Sequence, residues 1–276
     1  MLSKLIKYEL KDASHSLFPI GLGMAILSVI SALMVGSATK GFDLSRLPLY
    51  PLLSGLVGLL TFICVIAVVV ICLMSNVGSF YRMLGHRGYL EMSLPVTIHQ
   101  HIAAKLISAV LTTLLTLIFL NLCGFVIVLP NQPANWFSTM LGEGLNMLQN
   151  TPIGFTLLLV LFLLAGVAMF YLYTYLCCAI GGFFPQQRKL ASIITFFILQ
   201  FIAQVLFLLV VSFAFSHMES LVDALGRFAF DILNSTDGEW KIFYGSLTGA
   251  VVIEVLIDAV LWFVTRTILV KSLNLP

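Results

Sequence analysis

Charged residues are scarce in this 276-residue chain: they make up only 9% of it, whereas 60% of the residues are hydrophobic. A soluble domain of ordinary composition carries about 25% charged residues. A core formed by this chain cannot bury so much apolar surface and still cover itself with polar groups. The composition therefore excludes an ordinary soluble protein and predicts one that is solvated mainly by lipid. The net charge of +2 is too small to indicate a nucleic-acid partner.

The chain also lacks the motifs of the common catalytic and metal sites. No Gly-x-x-x-x-Gly-Lys-Ser/Thr loop is present, so ATP is not bound here through a P-loop. Neither a Gly-x-Ser-x-Gly elbow nor a His-Glu-x-x-His helix occurs. His99 and His101 would lie about 200° apart on a helix and would not share a metal ion, so we interpret both as solvated loop histidines. We predict that the chain is not an enzyme and holds no metal or cofactor of its own.

The cysteines form no recognisable framework. All five fall inside apolar runs, and none shows a zinc or redox spacing. We interpret them as small buried or lipid-facing hydrophobic residues rather than as disulfide partners. They are Cys64, Cys72, Cys123, Cys177 and Cys178.

Long hydrophobic runs are what the chain has in abundance. Six segments reach the roughly 20 residues that a helix needs to cross the hydrocarbon core of a membrane. Because lipid offers no partners to open backbone groups, these segments are predicted to be helices. The expected fold is an all-α membrane protein with one transmembrane domain. Its predicted spans are residues 17–37, 52–74, 102–129, 153–180, 191–215 and 244–268.

The basic residues are divided unequally between the two sides of these spans. The side that carries both termini holds most of the fourteen lysines and arginines. By the positive-inside rule, both termini are predicted to be cytoplasmic, in a cell membrane. The residues on that side are Lys4, Lys7, Lys11, Arg82, Arg87, Lys105, Arg188, Lys189, Arg266 and Lys271, against Lys40, Arg46, Arg227 and Lys241 on the other.

Amphipathic segments lie outside the spans. Residues 1–13 carry apolar residues at helical spacing beside a row of lysines, which suits a helix in the cytoplasmic interface with the bilayer as its partner. An ordinary positive flank that sets topology explains the same pattern equally well. Residues 216–243 repeat the helical period and end in a turn, which predicts a short helix dipping into or lying on the outer leaflet. Residues 130–152 show a weaker form of this pattern.

Two acids stand inside the sixth predicted span. Glu254 and Asp258 are four residues apart and therefore share one helix face. Acids at such depth usually face protein or water. They indicate a transport path or proton site, or else an inter-helix hydrogen bond. Gln200 and Gln204 have the same spacing in the fifth span and could bond to them across a helix interface.

A basic polar island at residues 79–105 separates the second and third spans. Gly85 and Gly88 allow a tight break, and Tyr89 to Met92 can start a short helix. Pro95 ends or begins an element before the chain re-enters the membrane. This order favours a short helix held parallel to the membrane over a shapeless loop.

The island resembles a known family. The residues Phe80-Tyr81-Arg82, Gly85 to Leu90, Leu94-Pro95-Val96 and Lys105 to Ser108 are similar to a pattern in permease subunits of type-2 ABC exporters, especially those of Gram-positive bacteria. Lys4 to Lys11 looks like their N-terminal interface helix. The run from Gly181 to Leu190 looks like their cytoplasmic loop between spans four and five. His86 and Arg87 depart from the pattern, because many relatives carry an acid there.

The resemblance implies a division of labour between subunits. The cytoplasmic loop 79–101 would hold a coupling helix that docks on a separate ATPase, which is present in two copies and binds ATP and Mg. A second permease, identical or different, would complete the path, with Phe196, Phe197 and Phe201 as candidates for the seam. The outer segment 216–243 would be re-entrant. The implied coupling residues are Arg82, Gly85, Arg87, Gly88, Tyr89, Leu90, Glu91, Leu94 and Pro95, and the outer-gate residues are Leu221, Leu225 and Phe228.

Other functions fit parts of the sequence. A proton-driven secondary transporter would use Glu254 and Asp258. A membrane enzyme or its scaffold lacks a catalytic cluster in the loops. A non-transporting immunity or sensor protein of the same fold stays open, because fold does not fix function. Since the spans are expected to carry two acids and no buried basic residue, the expected cargo is a hydrophobic or amphipathic peptide, antimicrobial or lipid.

Overall fold

A computed structural model describes residues 2–39, 49–84, 97–133, 135–184, 186–216 and 238–272 of the chain. These residues form seven α-helices, a short 3₁₀ turn at Leu129–Asn131, and no strand. The helices are α1 (Leu2–Thr39), α2 (Tyr50–Met83), α3 (Ile98–Val128), α4 (Trp136–Asn150), α5 (Ile153–Gly181), α6 (Arg188–Ser216) and α7 (Gly238–Ser272).

Six of these helices are long and apolar enough to cross a membrane, which is the property of a multi-pass membrane protein. The predicted all-helical fold, with six helices that could span a membrane, is thereby confirmed. The remaining helix, α4, lies in the connector 130–152, where the weaker amphipathic pattern was noted. Phe125 of α3 contacts the rings of Trp136 and Phe137 at the start of α4, with centroids 5.5 and 6.0 Å apart.

The first helix is longer than its predicted span. The sequence suggested an interface helix at 1–13 followed by a separate span, whereas α1 runs without a break from Leu2 to Thr39. No break separates the two parts. Ala13 and Met24, one from each part, are both buried, and the intervening Pro19 lies inside the helix. That residues 1–13 lie in a membrane interface stays a prediction.

The chain divides into two compact units, residues 1–150 and 151–276. In the first unit, α1 packs on both α2 and α3. Its apolar core is formed by Met24, Val68 and Cys123, one from each helix, with Ile20 and Phe119 against them. Small residues allow close approach elsewhere: a Cβ on Gly36 would lie 2.9 Å from Pro130 Cβ.

In the second unit, α5 contacts both α6 and α7. The buried side chains of α5 lie in its C-terminal part, where Tyr171 and Tyr175 are fully buried. Leu269 of α7 is also fully buried. Tyr173 donates a hydrogen bond to the Phe196 carbonyl of α6 at 3.1 Å. This end of the unit is therefore well packed.

The two histidines interpreted as loop residues, His99 and His101, both lie in α3. His101 is part of the first turns of α3 and is only 3% exposed, so its interpretation as a solvated loop residue was wrong. The helix begins earlier than hydrophobicity alone suggests, because Thr97 and Gln100 make a start signal of the capping-box type. The Thr97 N–H donates to Gln100 Oε1 at 3.3 Å.

Candidate functional site

Arg82 is the one predicted coupling residue within the described part of the chain. It lies in the last turn of α2, where its guanidinium pairs with the carboxylate of Asp12 from α1. The two side chains are 42% and 55% exposed, and pairs of that kind contribute about 0–1 kcal/mol. The other predicted coupling residues lie outside the described residues: Gly85, Arg87, Gly88, Tyr89, Leu90, Glu91, Leu94 and Pro95.

A buried ion pair lies one helical turn from this surface pair. Lys105 Nζ of α3 is 2.6 Å from Glu9 Oε1 of α1. It also donates to the Ser79 carbonyl of α2 at 3.2 Å and to Ser79 Oγ at 3.1 Å. The Ser79 hydroxyl in turn donates to Glu9 Oε2 at 2.5 Å. Three residues from three helices therefore meet in one hydrogen-bonded cluster, which we call the Lys105 cluster.

Burial makes the Lys105 cluster energetically different from the Arg82–Asp12 pair. The side chains of Lys105 and Glu9 are only 2% and 16% exposed. Removing such charges from water costs several kcal/mol per ion, and the cost is offset only when good geometry and further hydrogen bonds replace the water. The three acceptors around Nζ match the three donors of an ammonium group. The pair is therefore well matched as long as every partner is present.

Polar contacts continue from the Lys105 cluster along the α2–α3 interface. Thr112 donates to Asn76 Oδ1 at 3.0 Å, and both side chains are buried. Thr116 then donates to Cys72 Sγ at 3.4 Å. Side-chain hydrogen bonds of this sort join helices inside membranes. These hydrogen bonds join α2 to α3 from Ser79 to Cys72 on one helix and from Lys105 to Thr116 on the other.

These contacts join α1 to the two helices on either side of residues 85–96, which lie outside the described residues. Arg82 precedes that segment and Lys105 follows it, and both basic side chains pair with acids of α1. The two acids, Glu9 and Asp12, lie one turn apart on the same helix face. The arrangement therefore links α1 to both α2 and α3.

Sequence reasoning missed the acidic half of this site. It counted Arg82 and Lys105 among the charges that set topology, gave Arg82 an ATPase-coupling role by resemblance, and gave no role to Glu9, Asp12 or Ser79. A signal for the interface between α2 and α3 was nevertheless present in the sequence, because polar residues recur at helical spacing on both of these helices. Asn76, Ser79 and Arg82 step by three along α2, and Lys105, Ser108, Thr112 and Thr116 step by three or four along α3.

The two acids of the sixth span lie near the middle of α7. Glu254 approaches α5 closely, since a Cβ on Gly166 would lie 3.1 Å from Glu254 Oε1. Within the described residues, Glu254 Oε2 and Asp258 Oδ1 are buried and have no hydrogen-bond partner. Gln200 and Gln204 are exposed side chains of α6. The predicted link from these glutamines is not made at the two buried oxygens.

The remaining predicted site residues lie beyond what the structure describes. Leu221, Leu225 and Phe228, predicted to form an outer gate, fall in residues 217–237, which are outside the described ranges. Within those ranges, no group of three or more histidine, cysteine, aspartate or glutamate residues could hold a metal ion. The described cysteines are all free thiols.

No family model, curated protein or solved structure matches this chain.

Proposed function

We propose that this protein is the membrane-spanning permease subunit of an ATP-driven type-2 ABC exporter. The observation that carries the proposal is that the helices on either side of residues 85–96 are both paired with α1, through Arg82–Asp12 and Lys105–Glu9. A connector that passes force from a soluble partner to membrane helices needs fixed ends, because a slack connector would absorb the displacement. The family resemblance of residues 79–108 supplies the class of partner.

The proposed assembly places the catalytic work on other subunits. Two ATPase copies bind ATP and Mg and dock on the cytoplasmic loop 79–101. A second permease, identical or different, completes the transport path in the plasma membrane. Both termini are cytoplasmic, residues 1–13 lie at the inner interface, and residues 216–243 re-enter from outside. The unequal distribution of lysine and arginine supports this orientation.

The proposed mechanism is a rigid-body one. ATP binding closes the two ATPases, and their movement displaces the segment 85–96 together with α2 and α3. The seam between permeases then opens outward, as in other transitions where packed elements move as units. A hydrophobic or amphipathic cargo is favoured, because the six helices offer a largely apolar surface with two central acids.

Truncating Tyr89 or Leu94 to alanine is expected to weaken ATPase binding by about tenfold or more, the loss typical of an interface hot spot. The measurement is an affinity titration of the permease, purified in detergent, with the P-loop ATPase that co-purifies from native membranes. The hydrolysis rate of the assembled complex, relative to the isolated ATPase, is expected to fall in parallel.

Leu145→Ala is the matched control for this experiment. Leu145 is an exposed leucine of α4, so its truncation removes the same apolar volume outside the proposed interface and should leave binding unchanged. Two results would contradict the proposal: recovery of the permease without any P-loop ATPase, or equal binding by Tyr89→Ala, Leu94→Ala and Leu145→Ala.

A proton-driven transporter is the second candidate, and a specific observation favours it. Glu254 Oε2 and Asp258 Oδ1 are buried without a hydrogen-bond partner, as a carboxyl group that exchanges protons would be. On this alternative, Glu254→Gln abolishes transport, because glutamine keeps the shape of the side chain and cannot titrate. On the exporter proposal, the same substitution leaves ATP-driven transport within about threefold of the parent, since the amide can still hydrogen-bond.

Transport in proteoliposomes separates the two candidates. The probe is a fluorescent hydrophobic peptide, driven either by a pH gradient alone or by ATP with the ATPase bound. Glu143→Gln, on exposed α4, is the charge-matched control. Uptake that follows the pH gradient and is lost only with Glu254→Gln would replace the exporter proposal by the proton-driven one.

A further inference from the structure

Helix α1 contacts both helices that flank the segment 85–96. Glu9 reaches Lys105 of α3 and Ser79 of α2, and Asp12 reaches Arg82 of α2. The sequence places Glu9 and Asp12 far from this segment, more than 70 residues earlier in the chain. The junction therefore joins three helices, although only α2 and α3 are covalently continuous with the segment.

We propose that Glu9 is a positioning residue for the segment 85–96: it ties α1 to the two helices that carry the segment, so that all three move as one body. This inference rests on the proposed function, in which an ATPase displaces that segment. Glu9 acts through Lys105 and Ser79 rather than by touching the ATPase or the cargo.

Burial identifies Glu9, rather than Asp12, as the residue that matters. An exposed pair such as Asp12–Arg82 is screened by water and salt and can separate at little cost. Glu9 is only 16% exposed, and both of its carboxylate oxygens are engaged. Separating it from Lys105 would leave two desolvated charges, which is strongly unfavourable. The Glu9–Lys105 ion pair is therefore expected to persist when the helices are displaced.

Because α1 is continuous, the contact at Glu9 is connected to residues packed further along the same helix. The same helix that carries Glu9 places Met24 in the apolar core of the first unit. Further along, Ser31 Oγ lies 2.9 Å from Thr61 Oγ1 of α2. A displacement applied at Glu9 is thereby passed to packed positions deep in the helix, because packed side chains resist small separations.

Glu9→Gln tests the proposal, since it removes the charge and keeps the shape of the side chain. In the complex with the co-purified ATPase, we expect the permease-dependent stimulation of ATP hydrolysis to fall by about threefold or more. The double substitution Glu9→Lys with Lys105→Glu restores the opposite charges and is expected to recover much of the stimulation. Lys11→Gln, on the exposed side of the same helix, removes one charge and should have no effect.

A second control separates positioning from mere loss of stability. Gly36→Ala introduces a methyl group 2.9 Å from Pro130 at the opposite end of α1, and so destabilises the same unit without touching the link. Thermal unfolding midpoints are measured for both variants. We expect Gly36→Ala to keep its ATPase stimulation at a temperature where Glu9→Gln has lost it.

Three other outcomes would overturn the inference, each for a different reason. If Glu9→Gln keeps full stimulation while Tyr89→Ala loses it, the exporter stands and the role of Glu9 falls. If Glu9→Gln and Gly36→Ala lose stimulation in proportion to their unfolding midpoints, Glu9 is structural only. If Tyr89→Ala also has no effect, the proposed function fails and takes this inference with it.

Discussion

Replacing Lys105 by methionine is expected to lower the free energy of unfolding by about 3–5 kcal/mol. Methionine fills a similar volume, so the loss does not come from a cavity. It comes from Glu9, which is left buried and charged with no cation beside it. The measurement is the shift of the unfolding transition of the purified protein in detergent, followed by its helical circular dichroism.

A second substitution in the same background tests this cause. Glu9→Gln with Lys105→Met removes both charges and is expected to recover most of the loss, because neutral groups cost less to bury than one unpaired ion. Lys11→Met, at an exposed position, should change stability by no more than about 0.5 kcal/mol. A double variant as unstable as Lys105→Met alone would argue against the unpaired charge as the cause.

Replacing Gly181 by valine is expected to destabilise the second unit by about 3 kcal/mol. Gly181 ends α5 against the first turns of α6, where a Cβ would lie 2.8 Å from the Ser192 backbone nitrogen and 2.9 Å from its Cα. Backbone atoms cannot rotate aside as a flexible side chain can. The two helices would have to separate, which we expect to lower the unfolding midpoint and the yield of folded protein.

Gly249→Ala is the natural comparison for Gly181→Val. Gly249 lies inside α7, and a Cβ placed on it meets nothing within 4 Å. Alanine there is expected to stabilise the helix by about 0.5–1 kcal/mol, because glycine is a poor helix former. Two glycines of the same unit should thus respond with opposite signs. Equal tolerance at both positions would mean that α5 and α6 do not meet at Gly181.

Hydrophobicity was sufficient to predict the six long apolar helices. The six runs were recognisable because a span needs roughly 20 apolar residues in succession, and each became one helix. The helix ends were harder to predict, since they depend on contacts rather than on hydropathy. Helix α2 continues to Met83, well past its apolar run, because Phe80 and Met83 are buried by neighbouring helices.

The candidate site could be predicted only in part. The basic residues around the polar island were visible in the sequence, because charge is rare in this chain. Their acidic partners could not be assigned, since Glu9 and Lys105 are 96 residues apart and no local pattern joins them. Pairing over such a distance depends on how the helices pack. Glu254 and Asp258 were found because an acid within an apolar span is conspicuous at any depth.

The unbroken course of α1 limits how this part of the sequence can change. Glu9 and Met24 belong to one helix, and each must face a different set of neighbours at the same time. One residue inserted between them would rotate the first turns by about 100° relative to the rest, and Glu9 would leave Lys105. Substitutions on the exposed side are therefore tolerable, whereas the number of residues between Glu9 and Met24 is not free to vary.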